Sequence, residues 1–431
     1  MRYQTLYSKL VNLAILVAPF IGIVPFNVSG YGMQLSTLIL GTIGAYLLAK
    51  ACASGAIFRM HIDAITLFVL LYFLASLLSI IGVWQGGNVQ WGTYTQLAKY
   101  LRGVASVFLL ILVYFSLRLG SLGDWDIAKL IRSYTLASTL HAAFGIYQVI
   151  ALYYNFPFAY PLMNNNSFYA VTPANLPSPR AFGFTPEPSM FAITLLPAWL
   201  AEFITPRRQW LRFLVLSIAL LLSKSRLGLV SCVLTILVAA FCRVWSRRRG
   251  QRILIPLSIL TLIVIAISTL YMIIVNNLVT GSQLADYDPS LGERFSTAVI
   301  AFRLFLANPL FGVGLGSYPL MAVMYLKPNT DYVWGIDRVM TGQSYVFPNN
   351  AFLEVSAQQG ILGMVSFIGI LLSVIWYLAL ASKNGMSVPY QATICALGLT
   401  LTSLFSGFTF VPIWIFLGLS SISLQEGRER I

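Results

Sequence analysis

About thirty apolar residues, from Phe213 to Cys242, are interrupted once, by Ser223-Lys224-Ser225-Arg226-Leu227-Gly228. Basic clusters flank the run, with Arg207, Arg208 and Arg212 before it and Arg243, Arg247, Arg248, Arg249 and Arg252 after it. Short loops rich in Lys and Arg stay on the cytoplasmic side of a membrane. The run must therefore cross and return, and its turn falls at Ser223–Gly228 on the far side. The first arm, Gln209 to Ser223, is about 15 residues or roughly 22 Å of helix. The hydrocarbon core is about 30 Å thick. Lys224 and Arg226 are thus expected below the outer membrane surface. A charge at such depth costs on the order of 2.5–3.5 kcal/mol unless it faces a wet cavity or a counter-ion. The pattern predicts that both line an outward-facing cavity that receives an anion.

The remaining composition agrees with a membrane setting. Of 431 residues, 58% are hydrophobic and 9% charged, more apolar surface than a soluble fold could cover. The expected fold class is all-α, a polytopic integral membrane protein. A net charge of +14 on a soluble chain would suggest nucleic acid. Here the arginines gather in short loops, where topology and anionic headgroups account for the excess. The bilayer is the expected partner and nucleic acid is not. Cys52, Cys232, Cys242 and Cys395 lie far apart without a CxxC pair, which supports neither a zinc site nor a disulfide framework. No cofactor is expected. The first apolar run lacks a small-residue cleavage site and reads as a retained span.

Runs of suitable length give about twelve spans, near 10–27, 32–49, 63–84, 98–117, 129–154, 188–205, 209–223, 226–243, 253–276, 351–381, 388–407 and 409–424. Alternate loops hold the positive residues and the loops at 28–31 and 85–97 hold none, so both termini are expected in the cytoplasm. Two outer segments are long. The first, Asn155 to Pro188, ends Pro179-Arg180-Ala-Phe-Gly-Phe-Thr-Pro-Glu187-Pro-Ser189. The second, Asn277 to Asn350, has a helical pattern from Leu291 to Leu306 and a tight turn at Gly312-Val-Gly-Leu-Gly316. The chain divides into spans one to nine (1–276), a periplasmic loop (277–350) and spans ten to twelve (351–431).

Several residues in these outer segments carry charge or hydrogen-bonding capacity. Pro186 and Pro188 fix the backbone around Glu187, which could equally be a favourable acid at a helix start. Arg226 could snorkel to the interface. Glu293 and Arg294 are adjacent on a helix and cannot face each other, so at least one needs another partner. The glycines at 312, 314 and 316 lack the strand and Lys-Ser/Thr of a phosphate loop and read as a turn that lets helices pack closely. Asn350 is placed as an ordinary cap. Lys99 and Arg102 start the fourth span on the outer side and are candidate anion contacts. His61 and His141 are isolated and read as structural.

Four segments together resemble the O-antigen ligase and O-antigen polymerase superfamily of bacterial envelope glycosyltransferases. They are Arg180-Ala-Phe-Gly with Glu187-Pro-Ser, Ser225-Arg226-Leu-Gly, Glu293-Arg294 with Asn308-Pro-Leu-Phe-Gly-Val-Gly-Leu-Gly316, and Asn349-Asn350 with Leu353-Glu354 and Gly360-Ile-Leu-Gly363. The resemblance covers roughly 175–365. It implies a bacterial inner-membrane enzyme whose active site faces the periplasm. The implied donor is an undecaprenyl-diphosphate-linked oligosaccharide and the acceptor a glycan or glycolipid hydroxyl. Transfer proceeds without metal, and a chain-length regulator and a flippase are implied as further partners. Arg180, Arg226 and Arg294 match arginines that hold the donor diphosphate, with Lys224 and Arg102 as added contacts. Ligases have His-Asn where this chain has Asn349-Asn350, and no histidine occurs in the large loop. That favours a repeat-unit polymerase over a ligase acting on lipid A core.

The chemistry of the residues agrees independently. Departure of a diphosphate exposes charge that guanidinium groups meet bidentately. The acceptor hydroxyl needs a general base, for which Glu187 is the first choice, followed by Glu293 or Asp337. Asn350 completes the candidate catalytic set. A flippase or transporter would scatter charges through its spans and show a pseudo-repeat, and the sequence has neither.

Overall fold

The computed structural model describes residues 2–22, 26–28, 31–55, 62–87, 89–91, 94–119, 126–157, 179–205, 209–248, 280–287, 289–327, 329–333, 350–404, 407 and 410–429. They form fifteen helices in chain order: α1 (Arg2–Val17), α2 (Leu35–Ala53), α3 (Ala64–Leu78), α4 (Ile80–Gln85), α5 (Gln96–Arg118), α6 (Ile127–Tyr154), α7 (Pro188–Ile204), α8 (Trp210–Leu222), α9 (Arg226–Arg248), α10 (Gly281–Tyr287), α11 (Pro289–Ala307), α12 (Tyr318–Tyr325), α13 (Ala351–Lys383), α14 (Ser387–Ser403) and α15 (Val411–Glu429). Two small antiparallel hairpins, Phe26–Val28 with Tyr31–Met33 and Gln90–Trp91 with Tyr94–Thr95, join α1 to α2 and α4 to α5. The all-helical expectation holds apart from these.

Among the described residues, six helices are long and apolar enough to cross a membrane: Leu35–Ala53, Ala64–Gln85, Gln96–Arg118, Ile127–Tyr154, Arg226–Val244 and Ala351–Lys383. Leu6–Val17, Pro188–Ile204, Trp210–Leu222 and Val411–Ile422 are apolar but shorter. The shortening has local causes. Pro188 occupies the first turn of α7, and α8 stops at the Ser223–Ser225 turn. The expected ninth span, 253–276, lies outside the described residues, as do Asp337, Asn349 and His61.

Helix starts are set by short polar side chains that take a backbone N–H of the first turn. Asp63 accepts from Thr66 N at 2.7 Å, Thr95 from Ala98 N at 3.2 Å, and Asp126 from Lys129 N at 3.1 Å. The central element is α13, which packs on α3, α9, α11 and α14. With lipid outside, packing rather than water exclusion joins such helices, and small residues allow close approach. A Cβ at Gly44 would overlap the Leu112 carbonyl, which is why α2 and α5 can touch along their backbones.

One end of the bundle is closed by a buried ion pair. Arg118, in the last turn of α5, sits 3.4 Å from Asp63 at the start of α3. Ser421 of α15 donates to the same carboxylate, and Tyr114 lies 2.6 Å from the Thr66 hydroxyl. Tyr377, near the end of α13, accepts from Ala64 N. The opposite end, where α13 begins, carries the loops described next.

The helix α13 is broken at Gly360, whose φ of 65° and ψ of −155° are not helical. A break frees carbonyls before it and N–H groups after it, and in an apolar setting these need partners. The segment after α11 supplies them. Val313 N donates to Ala357 O at 2.9 Å, Gly314 N to Gln358 O at 3.0 Å, and Ile361 N to Pro309 O at 2.8 Å. Gly312, Gly314 and Gly316 all have positive φ. Side chains there would overlap Gln358, Val83 and the Lys99 carbonyl respectively. The expectation that these glycines form a turn that lets helices pack closely is met.

Candidate functional site

The site builds outward from the α8–α9 turn. Thirteen residues of α8 span roughly 20 Å, as short as the sequence implied. Ser223 then turns the chain, and Lys224 takes the left-handed conformation with φ of 49°. Ser225 Oγ accepts from Gly228 N at 3.2 Å and so caps α9. Lys224 and Arg226 are both exposed from the protein interior, and Arg226 sits at a positive helix N-terminus.

Arg180 approaches this turn from a distant part of the chain. Its Nε donates to Ser223 O at 2.9 Å and its Nη2 to Lys224 O at 3.2 Å. Two of its five N–H donors are thereby used to lock the turn. Burial lowers its pKa from the ordinary arginine value; the nearby Glu187 carboxylate opposes that shift and the Arg226 guanidinium adds to it. Those two influences put Glu187, Arg180 and Arg226 in one electrostatic neighbourhood. Three cations and one carboxylate leave a local excess of positive charge, suited to a multiply charged anion.

Glu187 stands immediately before Pro188, the first residue of α7, and its side chain caps no helical N–H. Instead its Oε1 accepts from the Ser189 hydroxyl, and its place at the N-terminal end of α7 fits a favourable acid at a helix start as well. Asn350 does act as a cap, its Oδ1 accepting from Leu353 N at 3.0 Å. Glu354, one turn on, accepts from Gln358 Nε2 at 2.9 Å, and Gln358 Oε1 accepts from Gly316 N. Glu293 and Arg294 lie on α11, which packs against α13, and the Arg294 carbonyl accepts from Thr297 Oγ1. Arg102 is half-buried on α5, one turn after the buried Lys99. The structure thus joins Arg180, Glu187, Lys224 and Arg226 in one cluster. Asn350, Glu293, Arg294 and Arg102 are carried on neighbouring elements at that end.

Of the outer segment Asn155–Pro188, the described part, 179–187, runs along the side of α6. Gln148 Oε1 accepts from Phe182 N at 3.1 Å and from Gly183 N at 2.9 Å. His141 Nε2 accepts from Phe184 N at 2.8 Å. His141 lies thirteen residues before Tyr154, the end of α6, which is roughly 20 Å along the helix. Gln148 drew no notice in the sequence, although 141, 145 and 148 share a helical face.

Among the described residues no group of three or more His, Cys, Asp or Glu side chains could hold a metal ion. Six long apolar helices among the described residues define a multi-pass membrane protein, and the cationic cluster lies at one end of its bundle. Residues 211–368, a little over a third of the chain, match the family model described as O-Antigen ligase. That match supports the O-antigen ligase/polymerase superfamily and an enzyme of the membrane glycosyltransferase kind. It includes the α8–α9 turn, α11 and the broken start of α13, while Arg180 and Glu187 precede it. No curated protein matches the chain.

Proposed function

We propose that the protein is a repeat-unit polymerase of bacterial surface polysaccharide. It moves a glycan from an undecaprenyl-diphosphate-linked donor to a sugar hydroxyl at the periplasmic face of the inner membrane. The observation that carries this reading is the convergence of Arg180, Lys224 and Arg226 beside Glu187.

In the transfer, the acceptor hydroxyl oxygen forms a bond to the anomeric carbon of the donor. The bond from that carbon to the diphosphate oxygen breaks, and the electron pair leaves with the diphosphate. Arg180 and Arg226 meet that developing charge, with Lys224 and Arg294 adding to the field. Glu187 takes the hydroxyl proton. Its Ser189 hydrogen bond orients the carboxylate, and the adjoining prolines hold its backbone. Asn350, fixed as a cap, presents the start of α13 to the acceptor side, and Glu293 is the second choice of base. The polymerase reading over the ligase reading rests on histidine. His61 and His141 are the only two, and His141 is enclosed by Phe20, Phe184 and Phe191.

The test is deletion of the gene and complementation with Arg226→Ala and Glu187→Gln, with sizing of the surface polysaccharide. A polymerase leaves single repeats attached to their acceptor. A ligase leaves full-length chains stranded on the lipid carrier. Wild-type profiles from both variants would remove the site assignment. Loss of one charge-stabilising donor typically costs about 10²–10³ in turnover.

A further inference from the structure

The segment carrying Arg180 and Glu187 has an unusual mode of attachment. Three consecutive backbone N–H groups, of Phe182, Gly183 and Phe184, donate to side chains of α6 rather than to backbone. Gln148 takes two of them on one oxygen and His141 takes the third. The neighbouring N–H groups complete the fastening: Ala181 N donates to Leu222 O at 3.0 Å and Thr185 N to Phe182 O at 3.0 Å. Phe184 O accepts from Gly22 N at 2.9 Å. The fit is close, because Gly183 has φ of 54° and a side chain there would overlap His141 and Phe191.

The protonation state of His141 follows from its bond. Nε2 accepts from Phe184 N, so it bears the lone pair and the imidazole is neutral with hydrogen on Nδ1. The ring packs on Phe191 with centroids 4.8 Å apart and on Phe20 at 5.2 Å. His141 Nδ1 and Gln148 Nε2 are buried and find no hydrogen-bond partner in the protein among the described residues. An unmet buried donor is destabilising. Apolar side chains would fill the same space without that cost, so packing alone does not account for two polar groups here. What they add is a fixed position for the loop backbone.

We propose that His141 and Gln148 are positioning residues. They set the depth and direction of the 180–187 loop so that Arg180 reaches the α8–α9 turn and Glu187 stands beside it. Neither touches the anion; both act through Arg180 and Glu187. This rests on the anion-site reading above.

The protein in lipid nanodiscs is titrated with inorganic pyrophosphate by calorimetry, and its melting temperature is measured in parallel. His141→Phe keeps the ring and removes the acceptor, Gln148→Met keeps the length and removes the acceptor, and His141→Gln restores an acceptor at similar reach. The expected result is at least tenfold weaker pyrophosphate binding in folded His141→Phe and Gln148→Met, with His141→Gln within about threefold of wild type. Unchanged affinity in both acceptor-less variants overturns the proposal, provided Arg226→Ala abolishes binding. Equal damage in His141→Gln and His141→Phe also overturns it, since ring packing would then be what matters. Wild-type affinity in Arg180→Ala and Arg226→Ala would instead sink the anion site itself and the positioning role with it.

Discussion

Replacing Gly360 with alanine tests the idea that the break in α13 is built to receive the 309–314 segment. The residue sits at φ 65° and ψ −155°, a region open essentially to glycine alone, and the backbone strain of a side chain there is about 1–3 kcal/mol. The added Cβ would also overlap the Leu310 carbonyl and lie 2.7 Å from Phe311 N. Backbone cannot swing aside as a side chain can, so the segment must lift. Lifting it breaks the bonds from Val313 N, Gly314 N and Ile361 N, each worth about 1 kcal/mol net. The total is roughly 4–6 kcal/mol, a large share of the about 5–15 kcal/mol that holds a typical protein folded. Gly385→Ala is the control, since Gly385 also has positive φ but nothing near its missing Cβ. That change should cost only about 1–2 kcal/mol. Denaturant unfolding in detergent micelles measures both. Equal destabilisation in the two variants would refute the docking argument.

The Arg303–Asp331 pair should behave as a buried one. Nη1 lies 2.6 Å from Oδ2 and Nη2 3.3 Å from Oδ1, and Lys327 N also donates to Asp331. Arg303→Ala is expected to cost about 3 kcal/mol, and the double change Arg303→Met with Asp331→Leu to cost less than either single loss. Hydrogen exchange at Lys327 and Tyr332 reads the local opening. Asp63→Ala removes a cap worth about 1 kcal/mol and the carboxylate that pairs with Arg118, only 2% exposed. Folded yield should fall while pyrophosphate affinity of the folded fraction stays at the wild-type value, because the pair lies at the other end of the bundle. Cys52 is exposed and Cys232, Cys242 and Cys395 are buried, so a maleimide should label the native protein once; labelling at Cys395 would contradict the α7–α14 packing, in which its thiol donates to Pro197 O at 3.2 Å.

How far the sequence could be read depended on whether the signal was local. The short arm ending at Ser223 was legible because helix length and charge placement are both written along the chain. The tight glycine turn was legible too, since positive φ has a strong residue preference. Asn350 as a cap needed only its position before an apolar run. The interruption at Gly360 was not visible, because Gln358, Gln359, Gly360 and Gly363 sit in an otherwise continuous apolar helix and a lone glycine is tolerated in one. Its cause is the segment near Leu310, fifty residues earlier in the chain. The descent of 180–187 along α6 was equally hidden. It depends on acceptors 34 to 43 residues away, and a lone His and a lone Gln in an apolar run carry no sign of what they hold. The twelve-span count rests on apolar length, which does not tell a full crossing from a shorter helix.

The shortness of α8 has a consequence for the surrounding lipid. Trp210, Leu211, Leu214, Ile218 and Leu221 form an exposed stripe along it, so acyl chains lie directly against a helix roughly 20 Å long. A bilayer core of about 30 Å that thins to match that contact gives up as much as a third of its thickness, at fractions of a kcal/mol for each Å. The dimple brings headgroups and water inward to the level of Lys224 and Arg226. A lipid phosphate drifting in the leaflet would therefore meet these cations without leaving its own plane, and its hydrocarbon tail could stay in the membrane throughout.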